Sequence, residues 1–380
     1  MTRGGRVPPD RRSNGHAIVK HRLRILLVAA SLLLSLFPSP AVAGGSAKVR
    51  QGEKQVAARQ YKKAMNSFRA ALKVDPNDVE AMTRIGDLHA SGLGVPRSDE
   101  AAAKWYAKAA PLGDAAARFA LAARYASGRG VGKDPAAAAK WCRLAADQGH
   151  PGAPSLLGFL YEQGMGVPRD EAESLAWYRK AAEAGDPDAQ ARLAAMCRDG
   201  IGVSRDAVES AAWYGRAARG GNAEAFAGYG RALLYGRGVA RNESAAADWI
   251  RKAADRGVPE GIFLRGVLYA YGRGETKDDV EALNEYRRSA EEDYVDGQLQ
   301  IAGMYLEGRG AKQSDNTAAA WYLRAAEAGS PDAQVMLGWM HEVGRGVPKG
   351  LGEAVRWFRL AAAQGNTVAR DHLMYLEIRR

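Results

Sequence analysis

A Gly-x-Gly pair returns every 36 residues, eight times without a slip, from Gly92/Gly94 through Gly128/Gly130, Gly164/Gly166, Gly200/Gly202, Gly236/Gly238, Gly272/Gly274 and Gly308/Gly310 to Gly344/Gly346. A tryptophan keeps the same beat at 105, 141, 177, 213, 249, 321 and 357, with Glu285 in the one remaining slot. A fixed period of this length marks an array of small units that stack on their neighbours, so chain length does not translate into a number of globular domains.

Each unit reads as two helices. In residues 150–185, Ala153, Leu157, Gly158, Leu160 and Tyr161 share one helical face, and Gly164-Met165-Gly166 ends that helix, because glycine tolerates the left-handed conformation that stops it. Asp170 then starts the second helix. In phase with it stand Ser98, Asp134, Asp206, Asn242, Asp278, Ser314 and Gly350, all favoured N-cap residues. Glu173, Glu209, Glu281 and Glu353 follow three residues later, as in a capping box. The second helix buries Ala176, Trp177, Ala181 and Ala182, and Gly185-Asp186-Pro187 forms the joint to the next unit. The many alanines let paired helices approach closely. Residues 259–294 depart most from the pattern, with Glu275, Glu285, Ser289 and Asp293 at normally apolar or glycine positions. This sixth repeat is expected to pack least well.

The pattern Leu157-Gly158, Tyr161, Gly164, Gly166-Val167, Trp177-Tyr178, Lys180-Ala181-Ala182, Gly185 closely resembles the Sel-one-like repeat family. The resemblance covers eight repeats over 79–366. Residues 45–78 look like one tetratricopeptide unit, carried by Gly52, Tyr61, Ala64, Phe68, Ala71 and Pro76, and 367–380 look like a last helix closing the stack. The resemblance implies an all-α, right-handed α-solenoid of antiparallel helix pairs.

The N-terminus reads as a leader. Lys20, Arg22 and Arg24 precede an apolar run from Ile25 to Phe37, and Ala41-Val42-Ala43 offers small residues before Gly44. These features make a secretory signal peptide over 1–43, cleaved after Ala43. The alternative, a membrane anchor, needs roughly 20 apolar residues, and this run has 13. The leader also distorts the charge. Its seven Lys/Arg and one Asp carry +6 of the chain's +11. The mild remainder is spread out, without the concentrated basic stripe that phosphate backbones require, so nucleic acid is not an expected partner. Two cysteines, Cys142 and Cys197, are too few for a disulfide-stapled scaffold and sit at tyrosine positions, as small core residues.

No catalytic, metal or cofactor site can be assembled from the sequence. His16 and His21 lie in the leader. His89 and His341 occupy the tyrosine position of a first helix, where a packed core histidine is the expected reading, and His150 stands at a helix cap. No histidine pair has metal-ligand spacing. The Gly-x-Gly pairs join helix to helix with no strand before them, which removes the context of a phosphate loop.

What remains is a surface. A solenoid presents the first helix of each pair along a concave face. Turning 100° per residue from the buried set places Ser155, Phe159 and Gln163 on that face in repeat 3. In phase, the N-terminal repeats present small or polar groups such as Thr83, Asp87, Ala123, Ser127, Ala191 and Asp199, with Phe119 and Phe159 as exceptions. The C-terminal repeats present Leu234, Tyr235, Phe263, Val267, Tyr271, Leu299, Leu306, Val335 and Trp339, edged by Arg231. Apolar residues at solvent-facing phases point to a protein or an extended peptide segment as partner, unless curvature buries them against the neighbouring repeat.

These readings converge on a periplasmic or secreted scaffold or adaptor rather than an enzyme, needing no cofactor and not inserted in the membrane once the leader is removed. The resemblance implies roles in envelope assembly, polysaccharide export or sensor-kinase regulation. A secreted host-interaction effector is the rival reading. A β-lactam-binding hydrolase, as among cysteine-rich relatives, is a further one, but those carry a cysteine pair in each repeat, and this chain has two cysteines in all.

Overall fold

The computed structural model describes residues 46–378, so the leader expected over 1–43 lies outside the described residues. Every regular element among them is helical. Two compact units divide the chain between Trp213 and Tyr214. The first unit holds the pair Ala47–Ala57 and Tyr61–Val74, then the repeat pairs Val79–Ser91 with Asp99–Ala109, Ala115–Ser127 with Pro135–Asp147, and Ala153–Gln163 with Glu171–Glu183, and then Pro187–Asp199. Ala207–Arg219 runs from the first unit into the second. The second unit continues with Ala223–Tyr235 and Glu243–Asp255, Pro259–Tyr271 and Asp279–Glu291, Val295–Glu307 and Asp315–Glu327, and Pro331–Val343 and Leu351–Ala363, and ends on Thr367–Ile378. Within each unit successive antiparallel helix pairs stack as a repeat solenoid. No helix among the described residues is long and apolar enough to cross a membrane.

The glycine pair has two separate jobs. Gly164 takes a left-handed φ of 65° and ends the first helix, and Met165 N–H bonds back to the Leu160 carbonyl at 2.9 Å. Gly166 has a φ of 73°, and a Cβ built on it would lie 2.0 Å from the carbonyl oxygen of Pro135. The loop of one repeat therefore seats on the first residue of the preceding repeat's second helix, backbone against backbone. The same approach recurs where Gly130 meets Asp99 and Gly310 meets Asp279. Inside a pair a further small residue makes room for an aromatic ring, as Gly158 does for Tyr178.

The second-helix caps lie where the sequence puts them. Ser98, Asp134, Asp170, Asp206, Asn242, Asp278 and Ser314 each accept a hydrogen bond from a backbone N–H two or three residues on, while Gly350 caps by backbone geometry alone. Repeat 3 is an exception at its first helix, which begins at Ala153 because Pro154 has no N–H to close the first turn of a helix begun at Pro151. Here His150 Nδ1 accepts the Gly152 N–H at 3.2 Å and its ring stacks on Phe119.

The sixth repeat corrects an expectation. Its substitutions are compensated rather than loose. Glu285, in the tryptophan slot, is 6% exposed and pairs with Arg265 at 2.7 Å and Arg288 at 2.9 Å. Glu275 meets Arg251 at 2.9 Å, and the Ser289 hydroxyl donates to the Pro259 carbonyl at 3.0 Å. Asp293 adopts the positive φ, 58°, that glycine holds at this joint in other repeats. Cys142 and Cys197 are both buried and free. Burial holds the Cys197 thiol up at about 11, with Glu209 reinforcing it, and the Cys142 thiol donates to the Ala153 carbonyl at 3.3 Å.

Candidate functional site

The face expected to line a groove is three rows of side chains, one per turn of each first helix, and they do not share a fate. The first row, in phase with Thr83, packs on the joint that begins the next repeat. Thr83 donates to Asp114 at 3.2 Å, Ser155 donates to Asp186, and Phe263 lies 5.4 Å from the Tyr294 ring, centroid to centroid. The second row, in phase with Phe159, is buried in four repeats and half-buried in the other four. Phe119, Phe159, Phe263 and Val267 are accordingly core residues, with 3–8% exposure, and Leu234 is fully buried. This overturns their placement on an open face. A first helix touches its own partner and the next repeat as well, and a single-helix wheel counts one neighbour.

The third row, in the last turn, is the most open, exposed at Ser91, Tyr271, Glu307 and Val343 and half-buried at the other four positions. It carries Ser91, Ser127, Gln163 and Asp199 in the first unit, and Tyr235, Tyr271, Glu307 and Val343 in the second. Tyr271 is 59% exposed and Val343 47%. Tyr235 and Tyr271 are brought together by loop arginines. The Arg273 guanidinium lies 5.5 Å from the Tyr271 ring and 5.9 Å from Tyr235, and Arg237 lies 5.6 Å from Tyr235. Partial burial raises the Tyr235 phenol above its usual range, opposed by the positive charges of Arg273, Arg237 and Arg231. Arg231 itself is held by Glu260 at 3.0 Å.

The other expected site residues lie apart from this cluster. Leu299, Leu306 and Trp339 are half-buried against the core around Leu337 and Met340, and Val335 packs with Trp339 on the core around Phe358. Sequence reading passed over Arg237 and Arg273, which stand between the paired glycines, and Tyr286, whose hydroxyl is buried without a hydrogen-bond partner. His89 and His341 are not core residues. They are half-buried, and His341 Nδ1 reaches the Pro348 carbonyl at 3.1 Å, bracing its own loop.

The first unit gathers charge instead. Arg84 bonds Glu53 at 3.0 Å and lies 3.5 Å from Asp87, whose carboxylate accepts the Tyr106 hydroxyl at 2.7 Å. Burial, then the neighbouring Glu53, raises Glu80 to about 7, and burial raises Asp87 to about 6 against the pull of Arg84. The native state therefore keeps protons that the unfolded chain gives up near 4.5 and 3.8. Stability is fully present below those values and is lost as pH rises through about 6 to 7. Melting followed by circular dichroism should give a higher Tm for this unit near pH 5 than near pH 7.5. Glu80→Gln should flatten the trend, by about 1 kcal/mol once solvent screening is allowed for. A Tm that rises with pH over this range would contradict the assignment.

Among the described residues no group of three His, Cys, Asp or Glu side chains is placed to hold a metal ion. The stacked pairs, their interlocking loops and one open aromatic row define a class of protein, the α-solenoid that offers a repeated surface to a partner. The sequence model of the Sel1 repeat matches residues 79–114, 115–150, 155–186, 187–222, 223–258, 259–294, 295–330 and 331–366, and the chain belongs to that family. Among solved structures it is similar to c5321, described as a protective antigen of uropathogenic Escherichia coli strains with an SLR fold. That match has 30% identity and a TM-score of 0.72, and covers 86% of this chain and 70% of that one. A Sel1 repeat protein from Oxalobacter formigenes is also similar, at 29% identity and a TM-score of 0.59, over 91% of this chain and 99% of that one. A search of the curated proteins finds no match. Sel1 repeat proteins generally mediate protein–protein interaction.

Proposed function

We propose that this chain is an exported, non-enzymatic scaffold that docks a protein partner on the second unit, centred on Tyr235 and Tyr271. The observation that carries the reading is Tyr271, a large aromatic 59% exposed on an ordered helix, with Tyr235 in the same phase one repeat earlier. Aromatic rings held rigidly at a surface bury much area at low entropic cost, which is why Tyr and Trp recur as interface hot spots. The basic flank, apolar run and small-residue end of residues 1–43 support export to the periplasm. Envelope assembly, polysaccharide export and sensor-kinase regulation are the settings that the family resemblance suggests.

A photo-crosslinking amino acid at Tyr271 in the native host should capture a defined protein from the envelope fraction. Tyr271→Ala should weaken binding of that protein by about 1–4 kcal/mol while leaving the helical signal intact. Capture no greater than from the same probe at exposed Val74, in the first unit, would refute the reading. A product found in the culture medium would favour the secreted alternative.

A further inference from the structure

The residue between the paired glycines is arginine in five of the eight repeats. Three of these arginines reach back to the first residue of the preceding second helix, and each finds an aspartate there. Arg129 lies 3.0 Å from Asp99, Arg309 2.6 Å from Asp279 and Arg345 2.9 Å from Asp315. The other two do not. At the corresponding position the sequence offers Arg237 an alanine, Ala207, and Arg273 a glutamate, Glu243, which is paired with Arg241. Arg237 and Arg273 are adjacent in the array and lie against the rings of Tyr235 and Tyr271. Among the described residues neither meets a carboxylate.

Tyr286 also lacks the partner its counterparts have. In equivalent pairs its counterpart donates to an internal acid, Tyr106 to Asp87 at 2.7 Å and Tyr178 to Glu162 at 3.1 Å. The positions that supply those acids are Val267 and Ala270 in the sixth repeat. The Tyr286 side chain is 1% exposed and its hydroxyl has no acceptor. Burial raises this phenol far above its usual range, with Tyr271, Tyr235 and Asp279 adding to the effect and Arg309 opposing it. The acid of the open row in the second unit, Glu307, lies 3.6 Å from Arg309.

The guanidiniums of Arg237 and Arg273 thus meet at the Tyr235 ring, with donors and no carboxylate of their own. The geometry points to a subsite for a carboxylate of the partner, an aspartate or glutamate side chain or a chain terminus within a short acidic segment, held by Arg237 and Arg273 and flanked by the rings of Tyr235 and Tyr271. Guanidinium matches carboxylate geometry with paired hydrogen bonds, and an arginine already stacked on an aromatic face loses little freedom in making them. The inference rests on the docking reading above and adds the chemistry of what docks.

The test uses the whole mature chain and a fluorescein-labelled peptide of alternating glutamate and alanine, with a glutamine counterpart as control. Fluorescence anisotropy should show the glutamate peptide binding at least tenfold more tightly than the glutamine one, with affinity falling as salt is raised. Arg237→Gln combined with Arg273→Gln should abolish that preference. Arg309→Gln, which removes an arginine already paired with aspartate, should leave it within twofold. Circular dichroism would confirm that each variant folds. Equal binding of the two peptides, or a preference that survives the double substitution, overturns the inference. So does displacement of the peptide by inorganic phosphate at a concentration matching the peptide's own Kd, which would mark a general anion site. Capture of a protein from position 271 that is unaffected by the double substitution would leave the docking reading standing while sinking this one.

Discussion

Gly166→Ala should lower the unfolding free energy by about 3–5 kcal/mol, combining the cost of a left-handed non-glycine residue with that of overpacking. The added methyl group would start 2.0 Å from the Pro135 carbonyl oxygen, at a φ of 73° that alanine disfavours. Neither party is a flexible side chain, so relief requires the loop to leave its seat. Gly185→Ala supplies the comparison. Its φ is 96°, and a Cβ there meets nothing within 4 Å, so only the conformational cost of about 1–2 kcal/mol applies. Urea unfolding followed by circular dichroism should separate the two. Equal losses would show that the loop does not depend on the close approach.

Trp177→Ala should cost about 3–5 kcal/mol, the range for deleting a buried aromatic. The ring is 8% exposed, with the Lys180 ammonium 4.1 Å and the Arg143 guanidinium 5.4 Å from its centre. In a stacked array each repeat is supported by its neighbours alone, so the loss should be local. Amide exchange should accelerate across Ala153–Gln163 and Glu171–Glu183 before it does so elsewhere. Tyr271→Ala should cost less than about 1 kcal/mol, as for exposed positions generally. If it destabilises the chain as much as Trp177→Ala, Tyr271 is a packing residue and the docking site must be sought elsewhere.

The helices, their caps and their period were legible in the sequence because each rests on short-range geometry. An Asp170 or an Asn242 satisfies an N–H two or three residues away, and glycine announces a left-handed turn wherever it falls. The open face was only partly legible. Tyr271 is exposed and Tyr235 half-buried at phases that the helical wheel turns outward, while Phe119, Phe159 and Phe263 are buried, because burial there depends on the following repeat. Phe119 stacks on His150 and Phe263 packs at a tilt on Tyr294, each partner 31 residues further along the chain. The arginines were missed for a related reason. Arg237 and Arg309 both stand between paired glycines, and what decides whether each finds an aspartate is the residue 30 positions earlier, Ala207 in one case and Asp279 in the other. The compensation of Glu285 by Arg265 is likewise a pairing between the two helices of a repeat.

The seat of the second glycine also limits how such an array can change in length. The loop registers on the backbone of the preceding repeat, so the fit ignores which side chains stand on either side. Removing or duplicating 36 residues, cut at any phase, would bring an equivalent glycine to an equivalent carbonyl. Removing 30 or 40 would leave one loop without its seat. Lineages of this chain are therefore free to gain and lose length in whole periods and are held against intermediate sizes, so that the number of units, more than the spacing between them, is the variable open to selection.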